Sequence, residues 1–180
     1  MPDGGRRAVM ALLVAAAALL GIPASAQTPP SAAPSPAPCR SAEHRQFDFW
    51  IGHWEVARPD GKPAGTNRIE SVFGGCALQE DWSSAAGGYQ GRSLNALGAD
   101  GRWHQTWVDT SGLLLQLTGG IRDGRMVLSG ERTSRQGGTV RDEVSWEPLP
   151  TGRVKQHWRS SNDDGKTWTD VFVGIYTKKR

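Results

Sequence analysis

The sequence predicts an all-β protein: an antiparallel up-and-down β-barrel of about ten strands, with a short N-terminal helical plug at one end. Three observations predict it. Short runs of strand-forming residues are divided by Asp60-Gly61, Gly74-Gly75, Gly87-Gly88, Asp100-Gly101, Ser111-Gly112, Asp123-Gly124, Gly137-Gly138 and Thr151-Gly152, pairs that supply the positive φ of tight hairpins. Helical periodicity is almost absent after the first of these runs. Sequential hairpins in this number close most economically into a barrel, which leaves no exposed strand edge. A two-sheet sandwich is the alternative.

The first residues stand apart from that pattern. Arg6 and Arg7 precede an apolar run from Ala8 to Ile22, and Ala24-Ser25-Ala26 has the small residues of a cleavage site. Residues 1–26 therefore read as a signal peptide, with an apolar run shorter than the roughly 20 residues of a spanning helix. The arginine pair also admits twin-arginine export, although Gly5, Ala8 and Val9 fit that signal poorly. Residues 27–40 are mostly Pro, Ala and Ser and read as a linker that cannot bury a core. Residues 41–180 are then one domain, expected in the periplasm or outside the cell, with no membrane span once the leader is removed.

Loss of the leader takes the formal charge from +3 to +2, with both signs interleaved along the chain. No basic stripe runs beside aromatic residues, so nucleic acid is not an expected partner. The two cysteines, Cys39 and Cys76, are expected to pair in an oxidising compartment, stapling the start of the domain to the loop after the second strand. Two free thiols are the alternative. No metal site is expected, because no further Cys or His stands at ligand spacing.

The plug and first strand lie in Phe47-Asp48-Phe49-Trp50-Ile51-Gly52-His53-Trp54-Glu55-Val56. Phe47, Trp50 and Ile51 share one face of a helical turn, Gly52 breaks it, and Trp54 and Val56 begin a strand alternation. With Trp54 facing inward, alternation assigns the later strands. The inward phase collects Asn67, Ile69, Ser71 and Phe73; Leu78, Glu80 and Trp82; Ser93, Asn95 and Leu97; Trp103, Gln105 and Trp107. It continues through Leu113, Leu115, Leu117, Met126, Leu128, Arg132, Val140, Asp142, Val144, Trp146, Val154, Gln156 and Trp158. The outward phase carries most of the charge. The last strand is ambiguous, because Val171, Val173 and Ile175 oppose Phe172 and Tyr176.

The inward phase is not purely apolar, and that is its functional content. Buried polar side chains are costly unless paired or wet, so this set predicts a cavity. Trp82, Asn95, Gln105, Trp107, Arg132, Gln156 and Trp158 are the expected ligand-binding residues, tryptophans beside amides being suited to an amphipathic or ring-bearing molecule. Glu80 and Asp142 are the inward carboxylates, and Arg132 is placed to neutralise one of them. An ion pair is their expected role ahead of acid–base catalysis. His44 and His53 read as surface or turn residues. His104 and His157 fall on the outward phase, so neither suits an axial haem ligand, and no cofactor is expected.

Two local patterns remain. Ser161-Asn162-Asp163-Asp164-Gly165-Lys166-Thr167-Trp168 matches an Asp-box, the hairpin motif of sialidase-type propellers. It occurs once, and reads as a turn lock with no sialidase activity implied. A calcium loop fails, since Val171 stands where a bidentate Glu is needed. No nucleophile elbow, zinc helix or phosphate-binding glycine loop is present in the sequence.

The opening motif, with Gly75-Cys76, Glu80, Trp82, Ser93-Leu94-Asn95 and Trp103-His104-Gln105-Thr106-Trp107-Val108-Asp109, resembles a family of secreted bacterial proteins of unknown function that share an F-D-F-W-I-G-x-W-x-V opening. The resemblance implies a calycin-like, lipocalin-like barrel, Gly52-x-Trp54 being similar to the lipocalin G-x-W. It implies no activity and no catalytic residues. The expected function is a carrier or scavenger of a small molecule. A cofactor-free hydrolase or isomerase using Glu80 or Asp142, and an envelope interaction module with a solid barrel, are the alternatives. The sequence leaves the ligand and the oligomeric state open.

Overall fold

A computed structural model describes residues 38–179. The expected leader and nearly all of the expected linker lie outside the described residues. Two 3₁₀ turns, Glu43–Arg45 and Asp48–Trp50, lead into strands β1 (Gly52–Ala57), β2 (Pro63–Val72), β3 (Ala77–Ser84), β4 (Gln90–Leu97) and β5 (Trp103–Asp109). Strands β6 (Leu114–Arg122), β7 (Arg125–Thr133), β8 (Thr139–Pro148), β9 (Val154–Ser161) and β10 (Thr169–Lys178) complete the set. Each pairs antiparallel with the next, and β10 returns to β1 through Trp54↔Lys178 to Ala57↔Ile175, closing a ten-stranded barrel. Closure removes the free edges that the alternative sandwich would expose.

One end of the barrel is solid. Ile51 is extended after the second turn, and Gly52 has φ 152°, a conformation that side chains other than glycine rarely adopt. The chain therefore swings from plug to strand at the residue where the sequence changes period. Phe47 and Trp50 are fully buried and stacked, with ring centroids 4.9 Å apart. Trp103 and Trp146 close on Phe47 at 5.6 and 5.1 Å, edge-on, an arrangement that the ring quadrupoles favour. The Trp54 indole N–H donates to the Trp50 carbonyl at 2.9 Å, tying plug to strand.

The plug is also laced from outside. Cys39 and Cys76 form a disulfide, so the last residues of the expected linker belong to the fold. Arg45 donates to the carbonyls of Cys39 at 3.1 Å and Gly75 at 2.6 Å, and pairs with Asp48. Closing a loop of this length stabilises the fold by roughly 3–4 kcal/mol in the chain-entropy account.

The inward phase holds over most of the barrel, with two corrections at its rim. Ser71 is exposed, and Phe73 is 73% exposed with φ 53°. The chain leaves β2 at Val72 and turns through a 3₁₀ segment, Phe73–Gly75, so alternation has no meaning beyond that point. The last strand resolves in favour of Phe172 and Tyr176: Tyr176 is buried, and Val171 is 48% exposed.

The hairpin between β9 and β10 forms the lock that its residues predict. The Asp163 carboxylate accepts from the Thr167 amide at 2.8 Å and hydroxyl at 2.6 Å, and from Ser161 at 2.7 Å. These bonds hold its acidity at about 2. Gly165 N–H donates to Ser161, and the Trp168 indole N–H to the Gly165 carbonyl. The Arg159 guanidinium lies 4.6 Å over the Trp168 ring.

Candidate ligand cavity

The end opposite the plug is hollow. Strand register fixes which residues share it: Ala57 at the end of β1 and Arg58 after it, Ser84 at the end of β3, Asp109 at the end of β5 and the start of β10 all lie there. A cavity of about 290 Å³ enters between them. Arg58, Ser84, Tyr89 and Val171 form its rim, while Trp82, Trp107, Trp158 and Phe172 form aromatic walls. Glu80, Gln105, Gln156 and Tyr176 are the polar groups at its floor. Glu80 lies four residues before Ser84, roughly 13 Å further along β3 at the rise of a strand.

Glycines give the walls their shape. Gly65 and Gly91 both occupy the inward phase, and a Cβ on Gly91 would fall inside the Trp107 indole. A Cβ on Gly65 would lie 2.8 Å from the Trp82 ring. Each indole therefore occupies space over glycine backbone that a side chain would otherwise fill, and Trp82 meets Phe172 edge-on at 5.6 Å. Phe172 is seated the same way on Gly174, where a Cβ would stand 2.7 Å from the ring. This was the signal that strand alternation alone overlooked: a glycine on the inward phase beside an inward aromatic.

A hydrogen-bonded network lies beneath the floor. Asn67 donates to Glu80 Oε1 at 2.7 Å and to the Tyr176 hydroxyl at 3.2 Å, and Tyr176 donates to Gln156. Ser93 donates to Glu80 Oε2 at 2.7 Å. Asn95 donates to Ser93 at 2.8 Å and to the Leu78 carbonyl at 3.2 Å, and Gln105 donates to Asn95 at 2.8 Å. Desolvation pushes the Glu80 carboxyl up to about 7, against the opposing bonds from Asn67 and Ser93 and with a small push from neighbouring Asp81. Burial likewise raises the Tyr176 hydroxyl.

Of the seven expected ligand-binding residues, Trp82, Gln105, Trp107, Gln156 and Trp158 line this cavity. Asn95 does not. It is fully buried and spends its amide on Ser93, Leu78 and Gln105, so it supports the floor from behind. Arg132 also stays outside, against an outer groove beside the β5–β6 and β7–β8 turns. Its guanidinium is drawn instead to Asp142, 2.7 Å away. Asp142 further accepts from Trp158 Nε1 at 2.8 Å and Ser160 at 2.6 Å. This buried carboxylate is the hub of an ion pair that orients one wall tryptophan. Tyr89 and Trp107 are oriented the same way by Asp109, at 2.8 and 3.0 Å. Arg58, Tyr89 and Phe172 were absent from the expected set because loop residues and a phase-ambiguous strand supply them.

The histidines stand away from the cavity. His44 bonds Ser41, His104 bonds Asp100 and His157 bonds Asp170, and His53 is an exposed residue of β1 rather than of the preceding turn. Among the described residues, no helix is long and apolar enough to cross a membrane. No family model matches the chain, and no curated protein matches it.

Proposed function

We propose that the barrel binds one small amphipathic, ring-bearing molecule in the cavity at its open end, as a carrier or scavenger in the periplasm or outside the cell. The observation that carries this reading is the cavity itself: four aromatic rings form its walls above four polar side chains. Apolar walls with a few convergent polar groups are the usual make-up of a small-molecule site. At about 290 Å³ it lies at the small end of such sites, which suits one ring system with a short polar arm. The disulfide suits an oxidising compartment, in keeping with the leader-like first 26 residues and with the resemblance to a secreted family. A solid barrel acting only through its outer face has no support from a hollow open end.

One observation favours a second reading, a cofactor-free enzyme. Glu80 is a cavity carboxyl poised at about 7, where general acid–base groups work best. The two readings part on what leaves the protein: a carrier releases the mass that it bound, and an enzyme releases a changed one.

The test is thermal unfolding against a panel of small aromatic alcohols, amides and amines, with Ser84→Trp as the control. Ser84 sits on the rim, so an indole there caps the cavity without opening the core. A ligand at 100 times its Kd stabilises the folded state by about 2.7 kcal/mol, a rise of several degrees in Tm. The expected result is such a rise in the parent and none in Ser84→Trp. Equal rises in both, or none in either, overturn the proposal.

A further inference from the structure

Glu80 is the unusual group in this cavity. Its side chain is 3% exposed, it lines the floor, and it takes part in no ion pair among the described residues. Its bonding partners are neutral: Asn67 from β2 and Ser93 from β4. The other side chains on the floor, Gln105 from β5, Gln156 from β9 and Tyr176 from β10, are neutral too. Its charged chain neighbour, Asp81, belongs to the outer face, where Arg68 and Arg92 hold it. Asp142, the other deep carboxylate, has Arg132. Arg58 is the cation on the cavity lining, and it follows β1 at the open end, away from the floor.

A buried carboxylate without a cation is strongly unfavourable. Here the space beside it is left open rather than filled by a protein side chain. A carboxylate offers about four lone-pair positions, and Asn67 and Ser93 use one on each oxygen. The walls above are the rings of Trp82, Trp107, Trp158 and Phe172, and aromatic faces attract organic cations and repel anions. Carboxylate below and aromatic rings around are complementary to one kind of ligand head, a protonated amine.

We infer that the cavity selects a small aromatic or alkyl ammonium ion, whose positive head is the counter-ion of Glu80. This inference rests on the cavity being the binding site and adds the ligand's charge. Arg58 at the rim and Glu80 at the floor set the direction of the molecule: ammonium end inward, any acceptor group outward. Affinity then rises with pH as Glu80 ionises. Of the groups that face it, Asn67, Ser93, Gln105 and Gln156 do not titrate in that range, and Tyr176 and Tyr89 are pushed upward. Asp81 and Asp109 are held below the usual carboxylate range.

The test uses three probes of one shape, 2-phenylethylammonium, 2-phenylethanol and 3-phenylpropionate, titrated against tryptophan fluorescence at pH 6 and pH 8. The ammonium probe is expected to bind at least tenfold more tightly than the alcohol at pH 8, and the carboxylate more weakly than either. Its affinity is expected to rise about tenfold from pH 6 to pH 8, as a carboxyl near 7 ionises. Glu80→Gln, checked for folding by circular dichroism, is expected to abolish both the preference and the pH dependence while retaining the alcohol. The charge series on the parent protein decides the matter even if that variant does not fold. Alcohol and ammonium binding equally would overturn this inference and leave the cavity reading standing. Tighter binding of the carboxylate would move the anchor to Arg58 and overturn it as well. Binding of none of the three overturns both.

Discussion

The two ends of this barrel are built from the same residue types and do opposite things with them. At the plugged end, Phe47, Trp50, Trp103 and Trp146 pack ring against ring and are at most 2% exposed. At the open end, Trp82, Trp107, Trp158 and Phe172 lie back against strands and carboxylates, leaving about 290 Å³ between them. The difference comes from what each ring is given to lie on. Plug aromatics meet other aromatics across the barrel axis. Of the wall aromatics, Trp82 and Phe172 meet each other edge-on at 5.6 Å, but each also lies over glycine backbone, while Trp107 and Trp158 hydrogen-bond through their indole N–H to Asp109 and Asp142. A tryptophan thus fills space or frames it according to its immediate neighbours, and the count of tryptophans alone does not distinguish the two.

The largest expected effect separates the ends directly. Trp50→Ala removes a fully buried ring from the plug and is expected to cost about 3–5 kcal/mol in denaturant unfolding. Trp158→Ala, at a wall that is already half open, is expected to cost well under half of that. Equal costs would erase the distinction between a packed end and a hollow one.

Next in size is the lacing of the plug. Replacing Cys39 and Cys76 together by Ser is expected to lower stability by roughly 3–4 kcal/mol, and to leave ligand-induced stabilisation at the open end unchanged. A double variant that lost ligand response along with stability would mean that the two ends are coupled through the barrel.

The third prediction concerns pH. Folding raises the Glu80 carboxyl from 4.5 to about 7, so the folded state binds more protons than the unfolded one between those values. This contribution is complete below about 4.5 and is lost as pH rises through 7, up to about 3 kcal/mol in all. Unfolding measured from pH 4.5 to 8 is expected to show that decline in the parent relative to Glu80→Gln. A saturating ammonium ligand is expected to reverse it above pH 7.

The smallest effect tests the wall itself. Gly91→Ala places a methyl group where the Trp107 ring now lies, and the ring must swing toward the axis. The expected cost is about 1–3 kcal/mol, typical of overpacking, with a loss of ligand affinity out of proportion to it. Unchanged affinity would show that Trp107 does not shape the site.

How much of this was legible in the sequence differs between the ends. The plug and the barrel follow from period: the helical turn at Phe47 to Ile51, the break at Gly52, and alternation counted from Trp54. These signals are local, and the fold obeys them. The phase fails where local backbone overrides it, as at Phe73, whose positive φ takes the chain out of β2. The cavity was legible as a polar inward set but not in depth. Asn95 and Gln105 share a phase and are partners across the β4–β5 ladder, yet Gln105 reaches the space and Asn95 lies behind it. Arg132 has the right phase and a partner outside the site. Depth along the axis, and who neutralises whom, are properties of the closed barrel that alternation does not carry.

The measurement that tests the central claim most directly is native mass spectrometry of the full chain purified from its producing cells without denaturation, with the absorbance spectrum recorded on the same sample. The account predicts a one-to-one complex with a small molecule, released intact on unfolding, absent from Ser84→Trp, and giving no Soret band. A bound molecule retained by Ser84→Trp, a haem spectrum, or an apo mass from protein that also ignores the probe series would contradict it.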